Sequence, residues 1–136
     1  MGQVLEAYSL VKTQIENNTA LYDYVHENFG MALSFFDAGN RTHYPCVSLS
    51  HPNAKYYIGK SIGAEVIMNL TMELPDNGNF ENVLEAFDLL ANGILAKRAV
   101  TSMIKNVVLV NAQKTEVEKT NTAVWVVLAQ VTINSM

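Results

Sequence analysis

Two groups of residues have types and spacing that could support chemistry. Gly59-Lys60-Ser61 matches the end of a phosphate-binding loop, where backbone N–H groups cradle phosphate and the lysine reaches its charge. That loop needs a glycine five residues earlier, where the backbone must approach phosphate closely, and the position is Ala54. It must also follow a strand and open a helix, whereas here an alternating, strand-like stretch follows. The flexible tip of a hairpin is the better reading. His43, Cys46 and His51 are ligand types that zinc accepts, but no fourth ligand is near them in sequence. Cys46 reads as a buried structural thiol, since a free cysteine usually packs as a small apolar residue. There is no Gly-x-Ser-x-Gly elbow, no His-Glu-x-x-His pair and no glycine-rich dinucleotide turn. His26-Glu27 lacks the second histidine. Glu81, Glu85 and Asp88 lie along one side of a helical stretch and read as a solvated face. This inventory predicts no catalytic residues, no metal, no cofactor and no enzyme.

The elements that would position such residues are easier to read. Glu65 to Leu74 alternates, with Val66, Met68, Leu70, Met72 and Leu74 on one side and Ile67, Asn69, Thr71 and Glu73 on the other. This predicts a central antiparallel strand with one face on a core, ended by Pro75, which cannot donate to a ladder. Helices are predicted over about 3–16, from Val4, Leu5, Tyr8, Val11 and Ile15, and over about 19–28, capped by Thr19 and stopped at Gly30. The clearest helix is Phe80 to Lys97, with Asn79 as its cap. Gly93 inside it costs about 1 kcal/mol relative to alanine. Pro45 to Ser50 is a short strand, and 51–63 reads as a long hairpin loop. Val107 to about Glu118 and Ala123 to Asn134 are two further strands, and Phe35 and Phe36 are anchors of a polar connection. The expected fold is therefore α+β. A four-stranded, mainly antiparallel sheet in the order α-β-β-α-β-β carries its helices on one face.

Composition limits the setting. At 136 residues, 49% apolar and 16% charged, the chain reads as one domain, 1–136, able to bury an ordinary core. No run approaches the roughly 18 apolar residues of a membrane span, and the first residues do not form a secretory signal. One cysteine excludes an intrachain disulfide and suits a reducing compartment. A formal charge of −4 argues against a dedicated nucleic-acid binder.

The last strand points to assembly. Trp125, Val127, Ala129, Val131 and Ile133 form one face, but Val124, Val126 and Leu128 are apolar on the other, and Ile67 can join them. A sheet covered on one side needs only one apolar face. These four residues are the expected subunit interface. The alternative is that loops of the same chain cover them.

From Phe35 onward the chain resembles the tail-terminator and tail-completion proteins of long-tailed bacteriophages, including the lambda-type minor tail protein U. The pieces that carry the resemblance are Phe35-Phe36-Asp37, Tyr44-Pro45-Cys46-Val47-Ser48-Leu49 and the alternating strand ending Leu74-Pro75. They continue with the helix around Leu84 to Leu95, then Thr101-Ser102-Met103-Ile104, and the final strand to Met136. Ile15 to Val25 is similar to the helical opening of related tail-completion proteins. The resemblance implies a structural virion protein, made in the host cytoplasm, with no catalytic residues. Family members form rings, commonly hexameric, at the head-proximal end of the tail. The ring stops tube growth and offers the head-attachment surface. Its implied partners are copies of itself, the tail-tube protein and a head-completion or connector protein. DNA would pass through without sequence-specific binding, and no membrane is involved. Lys55, Lys60, Lys114, Glu116, Glu118 and Lys119 are expected on loops contacting tube and head. Another neck component of similar fold, or a small cytoplasmic ligand-binding domain, remains the alternative.

Overall fold

The computed structural model describes residues 2–37, 45–50, 53–56, 64–96, 104–117 and 122–135. Among the described residues it shows an α+β fold of three helices and six strands. They run in the order α1 (Gly2–Glu16), α2 (Thr19–Phe29), β1 (Ser34–Asp37), β2 (Cys46–Leu49), β3 (Asn53–Tyr56), β4 (Ala64–Pro75), α3 (Phe80–Leu95), β5 (Ile104–Val117) and β6 (Thr122–Ser135).

The expected strand β4 is the spine. It pairs antiparallel with β6 along its whole length, from Ala64 opposite Ser135 to Pro75 opposite Val124. On its other side it pairs with β3 near its start and with β2 near its end. The sheet order is β1-β2-β4-β6-β5, with β3 beside β4. Met68, Leu70, Met72 and Leu74 are buried on one face with Val47, Leu49, Val127, Ala129 and Val131. The helices pack on that face through Val11 and Ile15 of α1, Leu21 and Val25 of α2, and Val83, Phe87, Leu90 and Ile94 of α3. The alternation in β4 and β6 therefore has the phase read from the sequence.

The strand count differs from the expected four. Phe35 and Phe36 belong to β1, which runs parallel to β2. Two adjacent aromatics on opposite faces leave no alternation to read. Within the expected 51–63 loop, 53–56 form β3, and 51–52 and 57–63 lie outside the described residues. β3 is held by backbone pairing to β4, so its polar side chains gave no strand signal. At the join of β2 and β3, the Ser50 N–H donates to Asn69 O at 2.9 Å, and the Asn69 N–H donates to Ser50 Oγ at 2.9 Å. The register then steps by one residue, from Leu49 opposite Leu70 to Asn53 opposite Ile67, as a β-bulge does.

The second helix is capped by Asn18 rather than Thr19. Asn18 Oδ1 accepts from the Leu21 N–H at 3.2 Å, and Gly30 closes the helix at φ 73°. The same asparagine donates through Nδ2 to Leu89 O on α3 at 2.9 Å. Nearby, Gln14 Nε2 donates to Gly93 O at 2.9 Å. Gly93 is what allows this approach, since a methyl group built on it would run into the Asn18 amide. The helix-weakening glycine is thus the docking point of the α1–α2 corner.

A sign change follows. Gly93→Ala gains roughly 1 kcal/mol of helix propensity but displaces an amide holding a cap and an interhelical hydrogen bond, together about 1–3 kcal/mol. Denaturant melts should show net destabilisation by Gly93→Ala in the parent chain. In an Asn18→Ala background the same substitution should stabilise. An equal effect in both backgrounds would show that the two residues are not coupled.

Candidate assembly surface

The face of the sheet opposite the helices is built by β2, β4, β5 and β6. Register places Ser48 opposite Thr71, Thr71 opposite Leu128, and Asn111 opposite Leu128. One end of this face is closed within the single chain. Cys46, Val124 and Glu73 are there, at 0%, 3% and 8% exposure. Cys46 Sγ lies 3.9 Å from Glu73 Oε2, a thiol-to-carboxylate contact between neighbouring strands. Cys46 is buried, as its sequence setting predicts.

The four residues expected at a subunit interface do not form one cluster. Val124, Val126 and Leu128 follow one another on the outer face of β6. Val124 is already buried, Val126 is half-buried, and Leu128 is 39% exposed. Ile67 is on the same face but opposite Thr132. The polar rung of Asn69 and Gln130 separates it from Leu128 and its partner Thr71.

Sequence reasoning missed a different apolar surface. Val108, Leu109 and Val110 on β5 are 48%, 38% and 54% exposed. Among the described residues β5 pairs only with β6, so it is an edge strand. Its ladder is interrupted between Leu109 and Asn111, which leaves Val110 as the extra, bulged residue. The available signal was four consecutive aliphatics, Val107 to Val110, in a sheet whose helices cover one face only.

The loop expectation also changes. Lys55 is in β3, and Lys114 and Glu116 are in β5, so these three are on strands. Lys60, Glu118 and Lys119 lie outside the described residues, as do His43, His51 and Gly59-Lys60-Ser61. Among the described residues, no three His, Cys, Asp or Glu side chains gather to hold a metal. No described helix is long and apolar enough to cross a membrane. Glu81, Glu85 and Asp88 are exposed along α3. The three helices together carry seven acidic residues (Glu6, Glu16, Asp23, Glu27, Glu81, Glu85 and Asp88) and one basic residue, Lys12. The rest of the chain has eight basic and six acidic residues, from totals of nine and 13.

Lys114 has a structural partner. Its Nζ is 3.1 Å from Asp76 Oδ2, at the turn between β4 and α3. Asp76 Oδ1 also accepts from the Gly78 N–H at 3.0 Å and from Trp125 Nε1 at 3.3 Å. The Trp125 ring stacks at a tilt on Phe80, with centroids 4.6 Å apart. Asn77 Nδ2 donates to Asn28 O at 3.1 Å, which ties the end of α2 to the same turn. Gly78 has φ 82°, which a side chain would strain. The Gly78 N–H, with help from Lys114 and Trp125, holds the Asp76 carboxyl below its ordinary range. On α2, burial raises the Tyr24 hydroxyl, with Glu85 and Glu81 adding to the shift. That hydroxyl donates to Asn82 Oδ1 at 3.0 Å.

No family model and no curated protein matches the sequence. Among solved structures, the chain is similar in fold to one in the virion of a native gene transfer agent particle. The TM-score is 0.53 at 15% identity, and the match covers 94% of each chain.

The Asp76 node predicts an acid-sensitive turn. Its carboxyl binds a proton less readily folded than unfolded. Its stabilisation is therefore complete above the unfolded value near pH 4 and is lost as pH falls through the lower folded value. Asp76→Asn should lower Tm at pH 7, and the gap from the parent should narrow on acidification below about pH 4. A gap that stays constant with pH would remove the carboxylate charge from the account.

Proposed function

We propose that this chain is a structural virion protein that forms a ring at the head-proximal end of a phage tail, terminates tube growth and provides the head-attachment surface. The observation that carries this reading is a fold shared over 94% of both chains with a component of a gene transfer agent virion. A tail terminator acts by shape and contact, so it needs surfaces rather than a reactive centre. The exposed aliphatics on β5 and β6 offer such a surface, and exposed apolar side chains grouped at a sheet edge favour association. The chain is not an enzyme on this reading, and copies of itself, a tail-tube protein and a head-side connector are its partners. The net charge of −4 suits passage of DNA through a ring without adhesion, because few cations are available to neutralise phosphate.

Two measurements test the proposal. Light scattering across a wide range of protein and salt concentrations should give a closed oligomer, or a monomer in equilibrium with a hexamer. Added to polymerising tail tubes, the protein should cap one end and stop elongation. A strict monomer that leaves tube growth unchanged overturns the reading.

Val126→Asp separates interface from core on the outer face of β6. It should weaken oligomerisation while leaving the monomer's thermal transition in place. Loss of that transition would assign Val126 to intrachain packing.

A further inference from the structure

We infer that residues 57–63, which join β3 to β4, are an arm that docks on the next copy, on the apolar flank of α3 that looks toward β5. The inference rests on the ring reading and names the contact that links its subunits.

The flank follows from the two sides of α3. Asn82, Leu89 and Gly93 face the α1–α2 corner. Asn82 Oδ1 accepts from the Tyr24 hydroxyl, Leu89 O from Asn18 Nδ2 and Gly93 O from Gln14 Nε2. With a turn of about 100° per residue, Phe80 and Leu84 lie on the other side of the helix. Phe80 stacks on Trp125, whose partner on β5 is Lys114, so this side looks toward the edge strand. Leu84 is one turn further along the same side. Phe80 is 40% exposed and Leu84 38%. Leu109, on the helix side of β5 opposite Ala129, is exposed too. Large apolar side chains left open side by side mark an association surface. Its rim is acidic. Glu81 and Asp88, the exposed helical neighbours of Leu84 at three and four residues, border it, and Lys114 is ion-paired with Asp76.

The arm has the matching chemistry. Tyr57-Ile58-Gly59-Lys60-Ser61-Ile62-Gly63 carries three large apolar side chains, one lysine and no acid. Its ends are fixed at Tyr56 and Ala64, which pair with each other. Trp125 lies opposite Leu74, ten positions along β4 from Ala64, or ~33 Å away. A connection of seven residues that returns to its start extends ~12 Å at most. The arm therefore cannot fill the flank of its own chain, only that of another copy. Arm and flank are at opposite ends of β4, so each contact leaves one of each open. That is the heterologous contact a ring requires.

The test mixes two full-length variants, Ile58→Asp, with a spoiled arm, and Leu84→Lys, with a spoiled flank. Each alone, with its thermal transition retained, should weaken assembly by at least about tenfold, the worth of one buried aliphatic. An equimolar mixture still holds one good arm and one good flank, and light scattering should find a 1:1 dimer and nothing larger. Emission of Trp125, the single tryptophan, should shift as that dimer forms. If Leu84→Lys does not fold, Glu81→Lys with Asp88→Lys replaces it, and Lys60→Glu in the arm should restore its assembly. Parent rings that survive both variants overturn the contact and leave the ring standing. A Leu84→Lys chain that still forms rings but no longer caps tail tubes assigns the flank to the tube protein, which also overturns it. A mixture that stays monomeric up to millimolar protein overturns it as well, and tube capping by the parent then decides the ring reading separately.

Discussion

The ladder between β4 and β6 is the constraint on which the rest depends. It runs unbroken from Ala64 to Pro75, and its side-chain period is two. A slip of one residue would send Met68, Leu70, Met72 and Leu74 to the outer face and bring Asn69, Thr71 and Glu73 under the helices. Burial of a large aliphatic or methionine side chain stabilises by roughly 1.5–3 kcal/mol, so four such losses are comparable to the whole stability of an ordinary domain. The register is therefore fixed by the core. The positions of β2, β3 and β5 follow from it, because each adds to one of these two strands.

Two sets of polar contacts help to position the helical layer. One is the turn after β4, where Asp76 and Asn77 gather β5, β6 and the end of α2. The other is the corner between α1 and α2, where Asn18 caps one helix and bonds another over Gly93. Both use side-chain amides and carboxylates to satisfy backbone groups that a helix end or turn leaves without a partner. These polar contacts fix where the helices sit, and the apolar core holds them there.

The central strand, the last strand and α3 were legible because each presents a strong period over ten or more residues, with Asn79 or Pro75 marking a boundary. The fold class and the inward phase of Met68 and Val127 followed directly. β1 and β3 were not legible. Four residues are too few to show a period, and β3 is a strand through its backbone. Gly93 read as a weakness because its reason lies 75 positions away at Asn18. On the assembly surface, the outward aliphatics of β6 were visible in the sequence. What was hidden was that neighbouring strands already bury Val124, while Val108 to Val110 are left at an edge. Strand order decides that, and no single-strand pattern encodes strand order.

The uneven charge of the helices has a consequence for how copies meet. With seven acidic residues and one basic residue on α1, α2 and α3, the helices carry an excess of negative charge. Two molecules that approach helices first therefore meet like charge and repel. Added salt shortens the reach of that repulsion, so the helical faces of two copies shun each other most strongly in dilute buffer.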